Sequence, residues 1–410
     1  MINYIKASNF YSIGEEIILD FRAKNGSISS PELYLDAPFG KKVTKVAFIG
    51  GANASGKTNV LRIIAFLSYI LTDRRDGSDD SLPYLKFLTM SEAPTVLEVD
   101  FSIKESTYTL NLVLDENKII SEELSATTLV KERTSKGHVF SRTWNEKKQK
   151  YDVKISDLLP TVKQISNLDG IVNSPINRLN SFVFFMLPYD TAEGLLSQVA
   201  NFWSRFSTNV TWTSSAEAYA PISALAERAS KVILSNQKIN EFTSKFLRKI
   251  DIGYNQIFED TPKDLNGEKI YGIEHIYRNK KFRLDTKLES TGTNRILFIL
   301  TIAAEILTTE QGGVVVIDES DAFLHPDIYE KFVELFMSPE TNRNNTQLIL
   351  SSHNYTTLNF LDKQQIFLTE RDEDGQTDVW RLDEVRGVRA DDNFYAKYMS
   401  GAYGAVPREK

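Results

Sequence analysis

Cysteine is absent from this chain of 410 residues, so disulfide bonds and cysteine-ligated zinc sites are excluded. A chain without cysteine fits a reducing compartment, and we expect a cytoplasmic protein. Long apolar runs are lacking too, because no stretch of roughly 18 apolar residues predicts a membrane span. The first residues alternate like a strand and do not resemble a signal peptide. The net charge of −7 disfavours a surface that coats nucleic acid but is compatible with a local basic patch.

Residues 1–129 combine strand alternation with one apolar helix. The helix follows a buried strand directly, and a charged loop and an antiparallel meander come after it. The predicted elements are strands 2–9, 15–22 and 43–50, helix 57–71, loop 72–81, and meander strands 95–103, 107–114 and 118–124.

Residues 286–410 alternate helices and strands, which is typical of a doubly wound sheet. Together with the first segment they predict an α/β protein with a mixed sheet, in which a parallel core stands beside an antiparallel part. The predicted elements are helix 295–307, strand 313–318, helix 328–337, strand 346–352 and a hairpin over 364–384 that turns at Asp374 and Gly375.

The segment between them, residues 130–285, is predicted to be a mainly helical insert that acts as a sensor or docking surface. Its strongest signal is an amphipathic helix over 223–250. The run FVFFMLPYD (182–190) favours a buried strand, and alternation around RNKK (278–281) favours two further strands.

The stretch GANASGKT fits the phosphate-binding pattern Gly-x4-Gly-Lys-[Ser/Thr] at every required position. Small residues let backbone N–H groups turn inward around a phosphate at the positive end of the following helix. An ordinary glycine turn capping a helix is the alternative, but an apolar strand precedes the stretch and an apolar helix follows it. We therefore predict an ATP site formed by Gly51, Ala52, Asn53, Ala54, Ser55, Gly56, Lys57, Thr58 and Asn59.

Acidic residues end the strand VVVI, as a phosphate-binding loop requires of a neighbouring strand. Thr58 and Asp318 are the predicted Mg²⁺ ligands, and Glu319 is the predicted general base. Solvated acids at a strand end are the alternative. His353 follows the next strand, where an imidazole can bind the γ-phosphate, although a single histidine there is usually a bland surface or core residue.

The stretch ESTGTNR lies directly before an apolar helix and ahead of the acidic strand. By order and spacing it resembles the signature motif of the ATP-binding-cassette ATPases, with matches at Ser290 and Gly292 and departures at Glu289, Thr291 and Thr293. A serine and a glycine at a helix start suit a γ-phosphate. Considered alone, the stretch would be explained by a simple helix cap.

The motifs together resemble the bacterial ATPases grouped with OLD, RecF and SMC proteins, and more narrowly the stand-alone AAA-type ATPases of phage-defence operons, of the RloA and AriA kind. The resemblance covers about 1–120 and 285–410. It implies that residues 324–326 form the D-loop, that His353 is the switch histidine and that the fold is an ABC-ATPase head. A metal site at Asp321 and His325 is the alternative to the D-loop.

Two features depart from that family. Many RecF- and SMC-type members carry a basic residue near the α-phosphate, where this chain has Tyr11. The usual Q-loop glutamine cannot be placed, because Gln164 and Gln198 do not follow a convincing strand.

The resemblance implies that two copies sandwich two ATP molecules head to tail, each lending its Ser290 and Gly292 to the other's phosphate site. No nuclease or nucleophile set is evident, so we expect a homodimeric ATPase switch that controls an effector carried on another chain, in phage defence. The alternative is a RecF- or SMC-like factor that clamps DNA in repair. Its only candidate DNA contacts are the lysines and arginines in 145–150 and 277–283, although such a run of charges is usually just a solvated face.

Overall fold

The computed structural model describes residues 1–24, 30–73, 81–130, 133–211, 220–250, 253–261 and 269–407, so most of the predicted loop at 72–81 lies outside the described residues. The strands are β1 (Ile2–Ser8), β2 (Ile17–Asp20), β3 (Tyr34–Ala37), β4 (Lys41–Thr44), β5 (Val46–Gly51), β6 (Thr95–Ile103), β7 (Ser106–Asp115), β8 (Lys118–Val130), β9 (Arg133–Asn145), β10 (Lys150–Ile155), β11 (Phe206–Thr208), β12 (Tyr254–Asp260), β13 (Ile270–Tyr277), β14 (Lys280–Asp285), β15 (Val314–Ile317), β16 (Gln347–Ser351), β17 (Ile366–Arg371) and β18 (Thr377–Arg381).

The α-helices are α1 (Lys57–Thr72), α2 (Pro160–Lys163), α3 (Leu168–Val172), α4 (Phe182–Phe185), α5 (Leu195–Ser204), α6 (Ile222–Ser235), α7 (Gln237–Lys249), α8 (Thr291–Leu307), α9 (Pro326–Met337) and α10 (Phe394–Met399). Among the described residues, no helix has the length and apolarity needed to cross a bilayer.

Two large sheets organise the chain, and together they confirm the predicted mixed α/β fold. An antiparallel sheet has the order β10-β9-β8-β7-β6-β1-β2, and it contains the predicted meander. The second sheet has the order β11-β15-β16-β5-β17-β18 and is parallel except for the final pair. Because parallel strands end at the same edge, the loops after β5, β15 and β16 meet there.

Both faces of strand β5 are buried, which explains its uninterrupted apolar sequence. Ala47 and Ile49 belong to the core that includes α1 and the antiparallel sheet, whereas Val46 and Phe48 belong to the core that includes α8 and α9. The strand that carries the glycine-rich loop is therefore fixed from both sides.

Within its described residues, the segment 130–285 contains six strands besides the helices predicted for it. Strands β9 and β10 extend the antiparallel sheet, and β11 joins the parallel sheet beside β15. The first residues of β9 are exposed on both faces, so they show no apolar alternation that a sequence pattern could detect. The two strands predicted around RNKK are confirmed as β13 and β14.

The run 182–190, predicted as a buried strand, is instead the short helix α4 followed by a 3-10 turn. Ser181 caps α4, since its side-chain oxygen accepts a hydrogen bond from the N–H of Val183 at 3.2 Å. A short apolar run fits a buried helix as well as a buried strand, which is why periodicity alone misassigned it.

The long helix predicted over 223–250 is two helices, α6 and α7, separated at Asn236. Asn236 has an extended backbone and accepts a hydrogen bond from the N–H of Ile239, so it begins a new helix. The apolar spacing continues across this break because α6 and α7 both pack against α8.

A buried ion pair attaches the short helices of this segment to the antiparallel sheet. The Nε of Arg142 donates to Glu122 at 2.9 Å, and neither side chain is exposed. Arg142 also donates to the carbonyl oxygen of Asn177, while Glu122 accepts from the backbone N–H of Phe182. Every charge in the pair has partners, as a buried pair requires.

Candidate nucleotide-binding site

The glycine-rich loop joins β5 to α1 through backbone conformations that require small residues. Gly51, Ala54 and Gly56 have φ angles of 150°, 61° and 105°. A Cβ at Gly51 would lie 2.3 Å from the carbonyl oxygen of Thr369, and a Cβ at Gly56 would lie 2.0 Å from the hydroxyl oxygen of Thr377. Larger residues at these two glycines would therefore displace the loop from the sheet.

Hydroxyl groups from distant parts of the sequence hold this loop in place. The Ser55 and Thr369 hydroxyls lie 2.6 Å apart, and the Thr377 hydroxyl donates to the Ser55 carbonyl oxygen at 3.2 Å. The Tyr355 hydroxyl donates to the Gly51 carbonyl oxygen at 2.8 Å and accepts from the Gly51 N–H at 3.2 Å. No local sequence pattern predicts these contacts, because each joins residues several hundred positions apart.

Lys57 begins α1 and is only 7% exposed. Its Nζ donates to the carbonyl oxygens of Gly51 at 3.0 Å and Ala52 at 2.9 Å, which places the ammonium group inside the loop. Burial lowers the pKa of Lys57, and the carboxylates of Asp318 and Glu319 oppose that shift.

Thr58 and Asp318 meet as predicted, with the threonine hydroxyl donating to Asp318 Oδ2 at 2.6 Å. The Ser351 hydroxyl donates to the other carboxylate oxygen. Asn209 fixes the backbone of Asp318 from both sides, because its Oδ1 accepts from the Asp318 N–H at 2.8 Å and its Nδ2 donates to the Asp318 carbonyl oxygen at 2.9 Å. Neither Ser351 nor Asn209 was predicted from the sequence.

The Thr58 and Asp318 oxygens fit Mg²⁺, which takes oxygen ligands from one or two protein side chains and completes its shell with waters and substrate phosphates. The described residues contain no group of three or more histidine, cysteine or acidic side chains placed to hold a metal. The alternative site at Asp321 and His325 is therefore unsupported there, and Asp321 instead accepts a hydrogen bond from the N–H of His353 at 3.0 Å.

Glu319 follows Asp318 in a left-handed conformation, with φ at 48°. Its N–H donates to the Ser351 hydroxyl at 2.8 Å. Arg295, on α8, donates from Nη2 to the carbonyl oxygens of Asp318 at 3.0 Å and Glu319 at 2.5 Å. Burial lowers the pKa of Arg295, although the nearby carboxylates favour its charged form. These contacts fix the backbone of Glu319, which lines a cleft at this edge of the sheet.

A cleft of about 220 Å³ opens at this edge of the parallel sheet. It brings together most of the predicted loop, both predicted acids and the predicted histidine, together with an arginine that sequence analysis overlooked. The cleft is lined by Asn53, Ala54, Ser55, Gly56, Lys57, Thr58, Asn59, Asp318, Glu319, His353 and Arg371.

The predicted signature residues lie outside this cleft in their own chain. Ser290 caps α8, because its hydroxyl accepts a hydrogen bond from the Thr293 N–H at 3.0 Å. Within its own chain, Ser290 therefore acts as the helix cap that the sequence offered as the alternative. A Cβ at Gly292 would lie 2.8 Å from the carbonyl oxygen of Phe323, so this glycine permits close packing of the helix start against the turn that contains Phe323. Leu288 and Phe323, near this helix start, are 73% and 74% exposed.

Tyr11, the departure noted in the sequence, lies under a basic side chain from α1. The Arg62 guanidinium stands 4.9 Å from the centre of the Tyr11 ring and donates to Asn59 Oδ1 at 2.8 Å. Asn59 in turn donates to the Ser12 hydroxyl at 2.7 Å. Gln164 and Gln198 do not line the cleft.

Comparison with known proteins gives a family. A family model described as "AAA domain, putative AbiEii toxin, Type IV TA system" matches residues 46–359, which include the loop, the acidic strand and His353. The SMC head domain from Thermotoga maritima is similar at 13% identity, over 93% of this chain and 98% of that one, with a TM-score of 0.42. No curated protein matches the chain. The family match confirms the resemblance to AAA-type ATPases inferred from the motifs, and the chain belongs to this AAA-domain family.

Proposed function

We propose that this protein is an ATP-hydrolysing switch that closes as a head-to-tail dimer around two ATP molecules and thereby controls an effector protein in anti-phage defence. The observation that carries the ATPase part is the meeting of Lys57, Thr58, Asp318 and Glu319 at one cleft. The ends of β5 and β15 and the start of α1 bring these residues together from distant parts of the sequence.

The proposed reaction assigns a role to each residue of the cleft. Lys57 and the N–H groups of the loop bind the phosphates. Thr58 and Asp318 would hold Mg²⁺, which supplies positive charge beside the β- and γ-phosphates. Glu319 takes a proton from a water molecule while the water oxygen attacks the γ-phosphorus, and the bond to the bridging oxygen of ADP breaks. His353 hydrogen-bonds the γ-phosphate.

The dimer is supported by the position of the signature residues. Ser290 and Gly292 lie away from their own chain's cleft, so they can contact a γ-phosphate only in another copy. The exposed side chains of Leu288 and Phe323 lie beside them, and large apolar side chains on a surface often mark an interface. Loss of the γ-phosphate on hydrolysis would remove a contact that favours the closed dimer.

Replacement of Phe323 by aspartate is expected to prevent ATP-dependent dimerisation while leaving ATP affinity within about twofold, because a charge would be placed in an apolar contact. Light scattering of the protein with ATP and Mg²⁺, at matched concentrations, measures the mass. Leu158, which is 50% exposed in a turn, provides the control, since Leu158→Asp should dimerise normally. The same mass for wild type with and without ATP would contradict the dimer proposal.

The role in controlling an effector is supported by the family match and, among the described residues, by the lack of a cluster of histidine, cysteine or acidic side chains that could hold the metal of a nuclease. In this proposal, parts of 130–285 outside the sheets would receive the signal or the partner. A pulldown from the native host with Glu319→Gln protein, with and without ATP, would test it. Recovery of no ATP-dependent partner would count against an effector held by the closed state.

The DNA-clamping alternative is disfavoured by the partners of its basic residues. Lys148 pairs with Asp152 at 2.8 Å and Lys150 with Asp169 at 3.3 Å. Lys281 and Arg283 both pair with Glu274, at 3.3 and 3.2 Å. Nearby carboxylates therefore neutralise part of the positive charge in 145–150 and in 277–283.

We therefore expect no saturable binding of a labelled DNA duplex at physiological salt, with or without ATP. Fluorescence anisotropy over a salt series is the measurement, because phosphate contacts produce a steep loss of affinity with added salt. Saturable binding that falls steeply with salt would favour the clamp instead.

A further inference from the structure

Arg371 ends strand β17, which runs parallel to the loop-bearing strand β5. In this register Thr369 lies opposite Gly51, and the Thr369 hydroxyl contacts Ser55 in the loop. Residues two apart on a strand point to the same face, so Arg371 extends from the same side as Thr369 and one step farther out. This placement accounts for its position in the cleft beside Asn53 and Ala54.

The neighbours of Arg371 confirm this alternation. Glu370 points to the opposite face, where its carboxylate accepts a hydrogen bond from the N–H of Ala405 at 3.1 Å. Asp372 closes the hairpin turn by accepting from the N–H of Gln376 at 2.7 Å. The acids adjacent in sequence are therefore engaged away from the Arg371 guanidinium.

The charges of the cleft leave Arg371 available for an anion. Within the described ranges, neither an ion pair nor a hydrogen bond engages its guanidinium, whereas the Arg62 guanidinium is bound to Asn59 and to the carbonyl oxygen of Thr211. Lys57 and Arg371 balance Asp318 and Glu319, so removing Arg371 would make the cleft net negative. A negative cleft opposes the entry of a polyphosphate.

We propose that Arg371 is a second cationic anchor for the nucleotide polyphosphate, acting from the strand beside the loop while Lys57 acts from within it. A guanidinium presents a planar fork of donors that matches two phosphate oxygens, which an ammonium group cannot do. The inference rests on the proposed function, because it adds a binding residue to the same cleft.

The test is a titration of wild type, Arg371→Ala and Arg371→Lys with fluorescent ATP and ADP analogues in the presence of Mg²⁺. We expect Arg371→Ala to weaken the binding of both nucleotides about tenfold, as for one lost charge-assisted contact. Arg371→Lys should recover part of the loss, because it keeps the charge but not the fork.

Arg343 supplies the matched control. It is an exposed arginine ahead of β16, at the opposite edge of the parallel sheet, where its Nε donates to the carbonyl oxygen of Glu340 at 3.0 Å. Arg343→Ala should bind both nucleotides like wild type. If Arg343→Ala and Arg371→Ala lost the same amount of nucleotide affinity, the loss would reflect the net charge of the protein, and the proposed anchor would be wrong.

Unchanged affinity of Arg371→Ala for ATP and ADP would also overturn the anchor. That result is distinguishable from a failure of the proposed function. If wild type binds ATP and Lys57→Ala does not, the cleft is the nucleotide site and only the role of Arg371 is wrong. If wild type binds neither nucleotide, the proposed function itself is wrong. The thermal unfolding midpoints of the Arg371 and Arg343 variants should match that of wild type, since both arginines are exposed.

Discussion

Replacing Glu319 by glutamine is expected to slow ATP hydrolysis by about a thousandfold while ATP still binds, because an amide cannot accept the proton that the attacking water loses. Glutamine has nearly the same shape, and the backbone at this position is held by Ser351 and Arg295 whatever the side chain. The geometry of the cleft should therefore survive. Phosphate release under single-turnover conditions measures the chemical step directly.

The same variant should accumulate as a closed dimer in ATP, since the γ-phosphate would remain in place. Glu310, which is an exposed acid beyond the end of α8, gives the control, and Glu310→Gln should hydrolyse ATP like wild type. Turnover of Glu319→Gln within about twofold of wild type would show that another group activates the water.

Replacing Lys57 by alanine is expected to weaken ATP binding by about a hundredfold or more. The substitution removes the buried ammonium group that the loop encloses, and it leaves the carboxylates of Asp318 and Glu319 facing the phosphates without a nearby counter-charge from the loop. Isothermal titration with ATP and Mg²⁺ measures the loss.

Lys45 is a matched control at the other end of the same strand. It is 9% exposed, and burial lowers its pKa as it does for Lys57, but it precedes β5 and lies at the opposite edge of the sheet. Lys45→Ala should keep the ATP affinity of wild type. If Lys57→Ala kept it as well, the glycine-rich loop would not be a phosphate site.

The parts of the site that lie in one short stretch were predictable from the sequence. Residues 51–58 match a known phosphate-binding pattern, and Asp318 and Glu319 directly follow an apolar strand. The local pattern and the position at a strand end were therefore enough to predict these residues. Ser351, Asn209 and Arg371 carry no local signal. Their roles follow from the strand order β11-β15-β16-β5-β17, which a single sequence does not reveal.

The fold was predictable where apolar residues repeat regularly. β5, β15, β16 and α8 are buried on most sides and were located within a few residues. Strand β9 was missed because its first residues are exposed and are held by pairing with β8, so they form no alternating apolar pattern. At 182–190 the apolar residues were found but the element type was not, because a capping serine and tertiary packing decided it.

Tyr355 holds both backbone groups of Gly51, and its ring stacks on that of Tyr398 with 4.1 Å between centroids. Tyr398 is anchored in turn by its hydroxyl, which donates to the carbonyl oxygen of Ala405 at 2.9 Å. Deleting the residues from Phe394 onward to obtain better crystals would therefore remove Tyr398, the aromatic residue that supports Tyr355 behind the phosphate loop.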